Sequence, residues 1–287
     1  MISLLGRALC TPEIQLSLTG RLARSIVRKT QGSVGYGLRF RERLQASERP
    51  HYLYCMLNAA DLARKLGLKR IAALEFGVAG GNGIRVMTQL AAEIERETGV
   101  AIECYGFDTG QGMPPPEEAR DLPYWFKEAQ YCMDVDALRK AVPEAKLMLG
   151  PIDSTIDAFC SEQTPPPVGC MFFDMDYYSS TRDSFRLFEQ SKKFPDCFMP
   201  RIFTYFDDVL GSEVEMYCAA NGQLAAIHDF NASHDDMQIH LNQNLLPVRY
   251  ITYSHKIYYV HLFGHPRYNE YIGGSEQVEM EQRLKIS

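Results

Sequence analysis

RIAALEFGVAGGNGIRVMTQLAAEIERETG, residues 70–99, decides how this chain is read. Residues 70–77 form a short apolar run ending in glycine. Residues 83–99 carry apolar side chains at helical spacing and stop at Gly99. Between them, Gly77, Gly80, Gly81 and Gly83 are four glycines in seven residues. Such a loop lets the backbone turn sharply and approach a ligand directly in front of a helix N-terminus. A tight turn with no ligand is the plainer alternative.

The pattern continues on both sides. Residues 53–67 have helical spacing; 101–108 (AIECYGFD) and 145–150 (AKLMLG) are strand-like, with a short helix expected over 134–143. A helix is expected at 154–162, a strand at 168–176 (VGCMFFDMD), a helix at 181–193 and a strand at 201–208 (RIFTYFDD). Strands alternating with helices imply an α/β fold with a doubly wound, mostly parallel sheet. Near the end, VRYITYSHKIYYVHLFG (248–264) holds two strand-like runs joined by Ser254 and His255, which predicts a closing antiparallel hairpin. The expected organisation is a helical, basic N-terminal extension (1–50) and one catalytic-type domain (51–287). The proline-rich stretch 109–131, with the only tryptophan, Trp125, reads as a lid or a long surface loop.

Composition narrows the partners. The 287 residues are 46% hydrophobic and 23% charged, ordinary for a globular protein. The net charge is −6, yet residues 1–50 carry nine Lys/Arg against three acids, leaving −12 on the remainder. An acidic body argues against nucleic acid as a partner. The basic segment is compatible with a solvated helix face, a homodimer contact, a substrate cover or a membrane-surface arm. No apolar run approaches the roughly 20 residues needed to span a bilayer, so no membrane partner is expected. The eight cysteines include no CxxC pair, and Cys104 and Cys170 sit inside apolar runs as core thiols do in a reducing cytoplasm.

In an open parallel sheet, ligands bind outside the carboxyl ends of the strands. The first such end gives Glu75, Gly77, Val78, Gly81 and Gly83 as candidate binding residues. No GxGxxG or GxxxxGK[ST] pattern occurs, which disfavours a dinucleotide and excludes a P-loop. Glu75 suits a cationic ligand better than a phosphate. The second strand ends in Asp108, followed by Thr109; a carboxylate there can accept hydrogen bonds from both ribose hydroxyls of an adenosine. Ribose, a cation and no phosphate describe S-adenosylmethionine. The fourth strand carries Asp174 and Asp176, placed by period-two geometry on one face, and the fifth Asp207 and Asp208. Carboxylates converging at one edge repel one another unless a cation neutralises them. Hard oxygen ligands favour Mg²⁺, with Ca²⁺ or Mn²⁺ as alternatives; capping of the following helix or turn is the competing role for Asp176 and Asp208.

Four stretches resemble the macrocin-type (TylF-like) O-methyltransferases: LEFGVAGGNGI (74–84), GFDTGQGMP (106–114), DMDYYSST (174–181) and FDDV (206–209). The resemblance covers roughly residues 70–215. It implies a class I, Rossmann-like methyltransferase with a seven-stranded sheet. The implied reaction is Mg²⁺-dependent transfer of a methyl group from S-adenosylmethionine to a hydroxyl of a sugar, polyol or other natural product. It further implies that Asp174, Asp207 and Asp208 bind the metal and that Asp174 acts as general base. Asp108 would then hold the ribose, and Glu75 with the glycine loop the methionine end. The alternatives are a metal-independent methyltransferase using His228, His234 or His240 as base, and a non-catalytic protein of the same fold. Solvated or core positions are the plainer reading of those histidines.

Overall fold

The computed structural model describes residues 17–31, 34–248 and 250–284. Two helices, α1 (Leu18–Thr30) and α2 (Leu38–Leu44), lead into α3 (Pro50–Lys65). The alternating core follows: β1 (Arg70–Phe76), α4 (Asn82–Thr98), β2 (Ala101–Asp108), α5 (Val135–Ala141), β3 (Lys146–Leu149), α6 (Ile152–Ala158) and β4 (Val168–Phe173). After it come α7 (Tyr178–Ser184), α8 (Arg186–Glu189), β5 (Phe198–Phe206), α9 (Gly222–Ser233), β6 (Met237–Leu241), β7 (Ile257–Leu262) and α10 (Ser275–Arg283). The strands form one seven-stranded sheet in the order β3-β2-β1-β4-β5-β7-β6. The first five are parallel, and β7 runs antiparallel to both β5 and β6.

Each face of the sheet buries its own apolar layer. Ile71, Ala73, Cys104, Cys170 and Phe172 pack on one side with α3 and α4. Leu74, Phe76, Phe107, Met171, Phe173 and Phe206 pack on the other, with Phe185, Phe188 and Phe230 from the helical layer. Strands buried on both faces read as continuous apolar runs, which is how β1 and β4 appear in the sequence. No helix among the described residues is long and apolar enough to cross a membrane.

Three expectations need correcting. The terminal antiparallel hairpin takes only its second strand, β7, from the stretch 248–264. Its first partner is Met237–Leu241, and residues 250–256 run through turns closed by Ile251 N–H to Val248 O, Ser254 N–H to Ile251 O and Lys256 N–H to Tyr253 O. Those local bonds satisfy the backbone, so the β-branched and aromatic composition there never enters a ladder. Strand β4 ends at Phe173, before Asp174. Asp176 adopts a left-handed φ of 58° instead of continuing the pleat, so period-two geometry does not pair it with Asp174. The helix expected over 181–193 begins earlier, at Tyr178, and breaks into α7, α8 and a final 3₁₀ turn.

The N-terminal extension is docked on the domain from Leu38 onward. The Leu38 amide donates to Glu97 on α4, Arg41 is buried and ion-paired with Glu93, and Arg39 pairs with Asp61 on α3. Helix α1 packs Val27 beside Leu44 and Ala46, and its Arg24 Nε donates to Leu44 O at 3.0 Å.

The stretch 109–131 is tied down at its centre. Asp121 is fully buried and accepts hydrogen bonds from the amides of Glu117 and Glu118 and from both the amide and the hydroxyl of Ser179. Leu122 and Phe126 then pack on Tyr177, and Met113 exchanges backbone hydrogen bonds with Ala129 and Gln130. Removing a carboxylate that satisfies four donors strands all of them in the interior. Asp121→Ala is expected to lower stability by about 2–4 kcal/mol. It should also expose 109–131 to limited proteolysis, read by denaturant unfolding and by the position of the first protease cut.

Candidate functional site

At the carboxyl ends of β1, β2, β4 and β5 the chain leaves the sheet around one cavity of about 640 Å³. That lies within the range of ordinary ligand pockets, roughly 300–1,000 Å³. Its wall includes Glu75, Gly77, Val78, Gly83, Asp108, Thr109, Asp174, Asp207 and Asp208, nine of the residues singled out from the sequence. Gly81 is not on the wall. At φ 81° it faces α5, and a Cβ there would meet Leu138 Cδ1 at 2.2 Å. Its glycine is required by packing and backbone conformation.

Gly77 and Gly83 are held to glycine by the site itself. A Cβ on Gly77, at φ 84°, would stand 1.8 Å from the carbonyl oxygen of Asp174. A Cβ on Gly83 would fall 1.7 Å from Glu75 Oε1. The first glycine allows the loops after β1 and β4 to touch, and the second leaves room for a buried carboxylate.

That carboxylate is unusual. Glu75 is 1% exposed; Oε1 accepts a 2.7 Å hydrogen bond from the Tyr52 hydroxyl, while Oε2 is buried with no partner. Burial pushes its pKa up to about 8, with the Tyr52 hydrogen bond working against the shift and Asp174 adding to it. A buried acid with an open oxygen is costly when ionised unless a cation reaches it.

Asp108 has a role the sequence did not disclose. Its Oδ2 accepts the amides of Val78 and Ala79, both at 2.9 Å, and its Oδ1 accepts the amide of Gly110 at 2.7 Å. It ties the glycine loop to the end of β2, with one acceptor site left of the roughly four a carboxylate offers. The Thr109 hydroxyl donates to Gly112 O and caps the same turn.

Asp174, Asp207 and Asp208 each present an oxygen within 4.8 Å of the others. Burial first, then Asp207 and Asp176, pushes Asp174 up to about 7. Asp208 is raised as well, by burial and by Asp176 and Asp174. Asp207 goes the other way. Burial opposes its ionisation, but the Tyr205 hydroxyl and Lys256 outweigh it, with Lys256 Nζ 2.9 Å from Oδ1 and 2.6 Å from the backbone oxygen. Asp176 supports the cluster from beneath, its amide donating to Asp208 Oδ2 at 2.9 Å.

The three histidines of the competing reading lie off the cavity wall. His228 is exposed, His234 stacks on Phe230 with Nδ1 against Phe230 O, and His240 is exposed beside Gln238. A different histidine, His51, is half-buried and stacked on Tyr205 at 4.1 Å, with burial and Arg49 pushing its pKa down to about 3. His51, Arg49, Tyr52, Tyr205 and Lys256 all carried no motif in the sequence, because they reach the site from the start of α3 and its N-cap, the end of β5 before Asp207 and the turn before β7.

No family model matches the chain, and no curated protein does. Solved structures do. CalS11, a calicheamicin methyltransferase, aligns at a TM-score of 0.52 and 15% identity over 85% of this chain and 93% of its own. The O-methyltransferase NovP aligns at 0.50 and 16% over 84% and 98%. This chain has the class I methyltransferase fold.

Glu75 gives the site a pH signature. The folded protein holds a proton on Glu75 up to about pH 8, whereas an unfolded glutamate loses it near 4.5, so stability falls as pH rises through that window. Glu75→Gln keeps the shape and removes the ionisation. The wild type should lose about 4 kcal/mol relative to Glu75→Gln between pH 4.5 and 8.5, measured by urea unfolding without ligand. Parallel curves for the two proteins would contradict the assignment.

Proposed function

We propose that this chain is an S-adenosylmethionine-dependent O-methyltransferase that uses a divalent cation, with Mg²⁺ favoured, and acts on a hydroxylated small molecule such as a sugar or polyol. The observation that carries the proposal is the sharing of one cavity by the glycine loop with its buried Glu75 and the cluster of Asp174, Asp207 and Asp208. CalS11 and NovP, whose fold this chain shares, are methyltransferases, and the first is named for a natural product.

The residues fit both groups. Glu75 Oε2 is an open, buried acceptor beside the glycine loop, suited to the ammonium of the methyl donor. The ammonium brings the positive charge that an ionised Glu75 lacks, so donor binding and Glu75 ionisation favour each other. Three carboxylates packed together, two with raised pKa values, are a hard oxygen set that a divalent cation would relieve. When bound, such a cation supplies Lewis acidity that eases loss of the acceptor proton.

The chain's own residues do the rest. Asp174 lies where the loops after β1 and β4 touch, near Asp207, and would take the acceptor proton. As the oxygen–methyl bond forms and the sulfonium–methyl bond breaks, that proton passes to the Asp174 carboxylate. Lys256 and Tyr205 hold the Asp207 side chain from its far side, and Asp176 N–H fixes Asp208. Alignment of two bound reactants accounts for much of the rate in such a displacement.

Asp207→Ala separates the two halves of the site. Donor affinity by calorimetry should stay within about threefold of wild type, while the Mg²⁺ signal disappears and turnover falls on the order of 100-fold or more. Turnover is followed as S-adenosylhomocysteine release over a panel of sugar, polyol and catechol acceptors. Equal loss of donor and Mg²⁺ binding, or full activity without metal, would overturn the division of roles.

A further inference from the structure

The cavity wall holds nine acidic side chains and one cation, Arg49. Arg49 caps the N-terminus of α3 with its backbone carbonyl, which accepts from Tyr52 and Leu53 amides, and its side chain turns to the cavity. The guanidinium lies 5.1 Å from the ring centroid of Tyr52, the residue whose hydroxyl holds Glu75. Its charge acts on Glu75, Asp174 and Tyr205, yet among the described residues it makes no side-chain hydrogen bond or ion pair. A half-buried guanidinium with five donors and no acceptor is poised for a ligand anion.

We infer that Arg49 binds the carboxylate of the methyl donor's methionine end and so sets the site's preference for a donor that carries it. The inference rests on the function proposed above. The ammonium and carboxylate of the methionine end share one carbon, so their partners must be neighbours. Glu75 Oε2 and Arg49 meet that condition, one bonded to the Tyr52 hydroxyl and the other lying by the Tyr52 ring. Among the charged side chains on the wall, Arg49 alone attracts a ligand carboxylate; the nine acids repel it. Arg49 belongs to the basic N-terminal segment, so that segment supplies the one cation the domain's own cavity lacks.

The test compares S-adenosylmethionine with decarboxylated S-adenosylmethionine, which keeps the sulfonium and the ammonium and loses only the carboxylate. Calorimetry on the full chain should show the wild type preferring the complete donor by about 30-fold, the range of a charge-assisted hydrogen-bonded pair. Arg49→Met should bind the decarboxylated donor as well as wild type does and retain no more than about a threefold preference. Arg49→Lys should recover part of it, since it restores the charge without the fork. Unchanged binding of the decarboxylated donor shows that Arg49→Met is folded. A wild type indifferent to the carboxylate, or a variant that weakens both donors equally, would overturn the inference while leaving the donor site standing. Wild-type protein that binds neither donor, nor S-adenosylhomocysteine or 5′-methylthioadenosine, would overturn the proposed function and this inference with it.

Discussion

A row of four phenylalanines sets the position of everything in the cavity. Phe107, Phe76, Phe173 and Phe206 stand in register on β2, β1, β4 and β5, and their rings stack at centroid distances of 4.8, 4.9 and 4.6 Å. Each stacked pair adds about 0.5–1.5 kcal/mol beyond the apolar area it buries. The more important effect is on register. A slip of one residue in any of these strands would send its ring to the opposite face. Because the rings are locked together, the residues that follow them, Asp108, Gly77, Asp174 and Asp207, emerge at one level. The ladder extends one step further to hold them there, with Asp174 N–H bonded to Phe76 O, Asp207 N–H to Phe173 O and Gly77 N–H to Phe107 O.

That level platform explains how the acids can be tolerated. Carboxylates a few ångströms apart in a half-buried setting oppose folding, as the raised pKa values of Glu75, Asp174 and Asp208 record. The sheet beneath is apolar on both faces and rigid, so the repulsion cannot be relieved by moving strands apart. It is met locally instead. Lys256 and Tyr205 hold Asp207 ionised, three amides satisfy Asp108, and Asp176 bends into a left-handed conformation that aims its amide at Asp208. Glu75 is left with an open oxygen, and that residual imbalance is what a cationic ligand would relieve.

Much of this was legible in the residues. The five parallel strands and the acids at their ends follow from apolar runs broken by Gly and Asp, and EFG, GFD, FFD and YFD give a sharper signal, closing four strands that neighbour one another in the sheet, each with Phe before the turn. The antiparallel end was harder. MQIHL (237–241) is a five-residue edge strand following a helix, while 250–253 has the composition of a strand but meets its backbone needs in turns. Composition cannot separate those cases, because β-propensity measures fit to a pleated surface that only the tertiary structure supplies. Asp108 ends β2 as the apolar run implied, yet its three backbone partners were invisible, since they depend on how the glycine loop folds back. Arg49, Tyr52 and Lys256 converge on the acids from 20 or more residues away in sequence, from elements with no motif of their own.

Residues 38–49 pack against the domain that follows them. Charge in the chain is divided, +6 on residues 1–50 and −12 on the rest, and the division reads at first as an appendage attached to a self-sufficient domain. The packing argues otherwise. Arg41 and Arg39 of α2 are ion-paired with Glu93 and Asp61 on α4 and α3, and these contacts orient the chain as it enters α3 at Arg49 and Pro50. Pro50 at the first helical position fixes the backbone there. The basic residues of α2 thus anchor the entry to α3 on the outside of the domain and leave Arg49 facing the inside. A cavity whose strands supply only acids needs a positive group from elsewhere to hold a zwitterionic ligand end, and the extension is where the fold provides it.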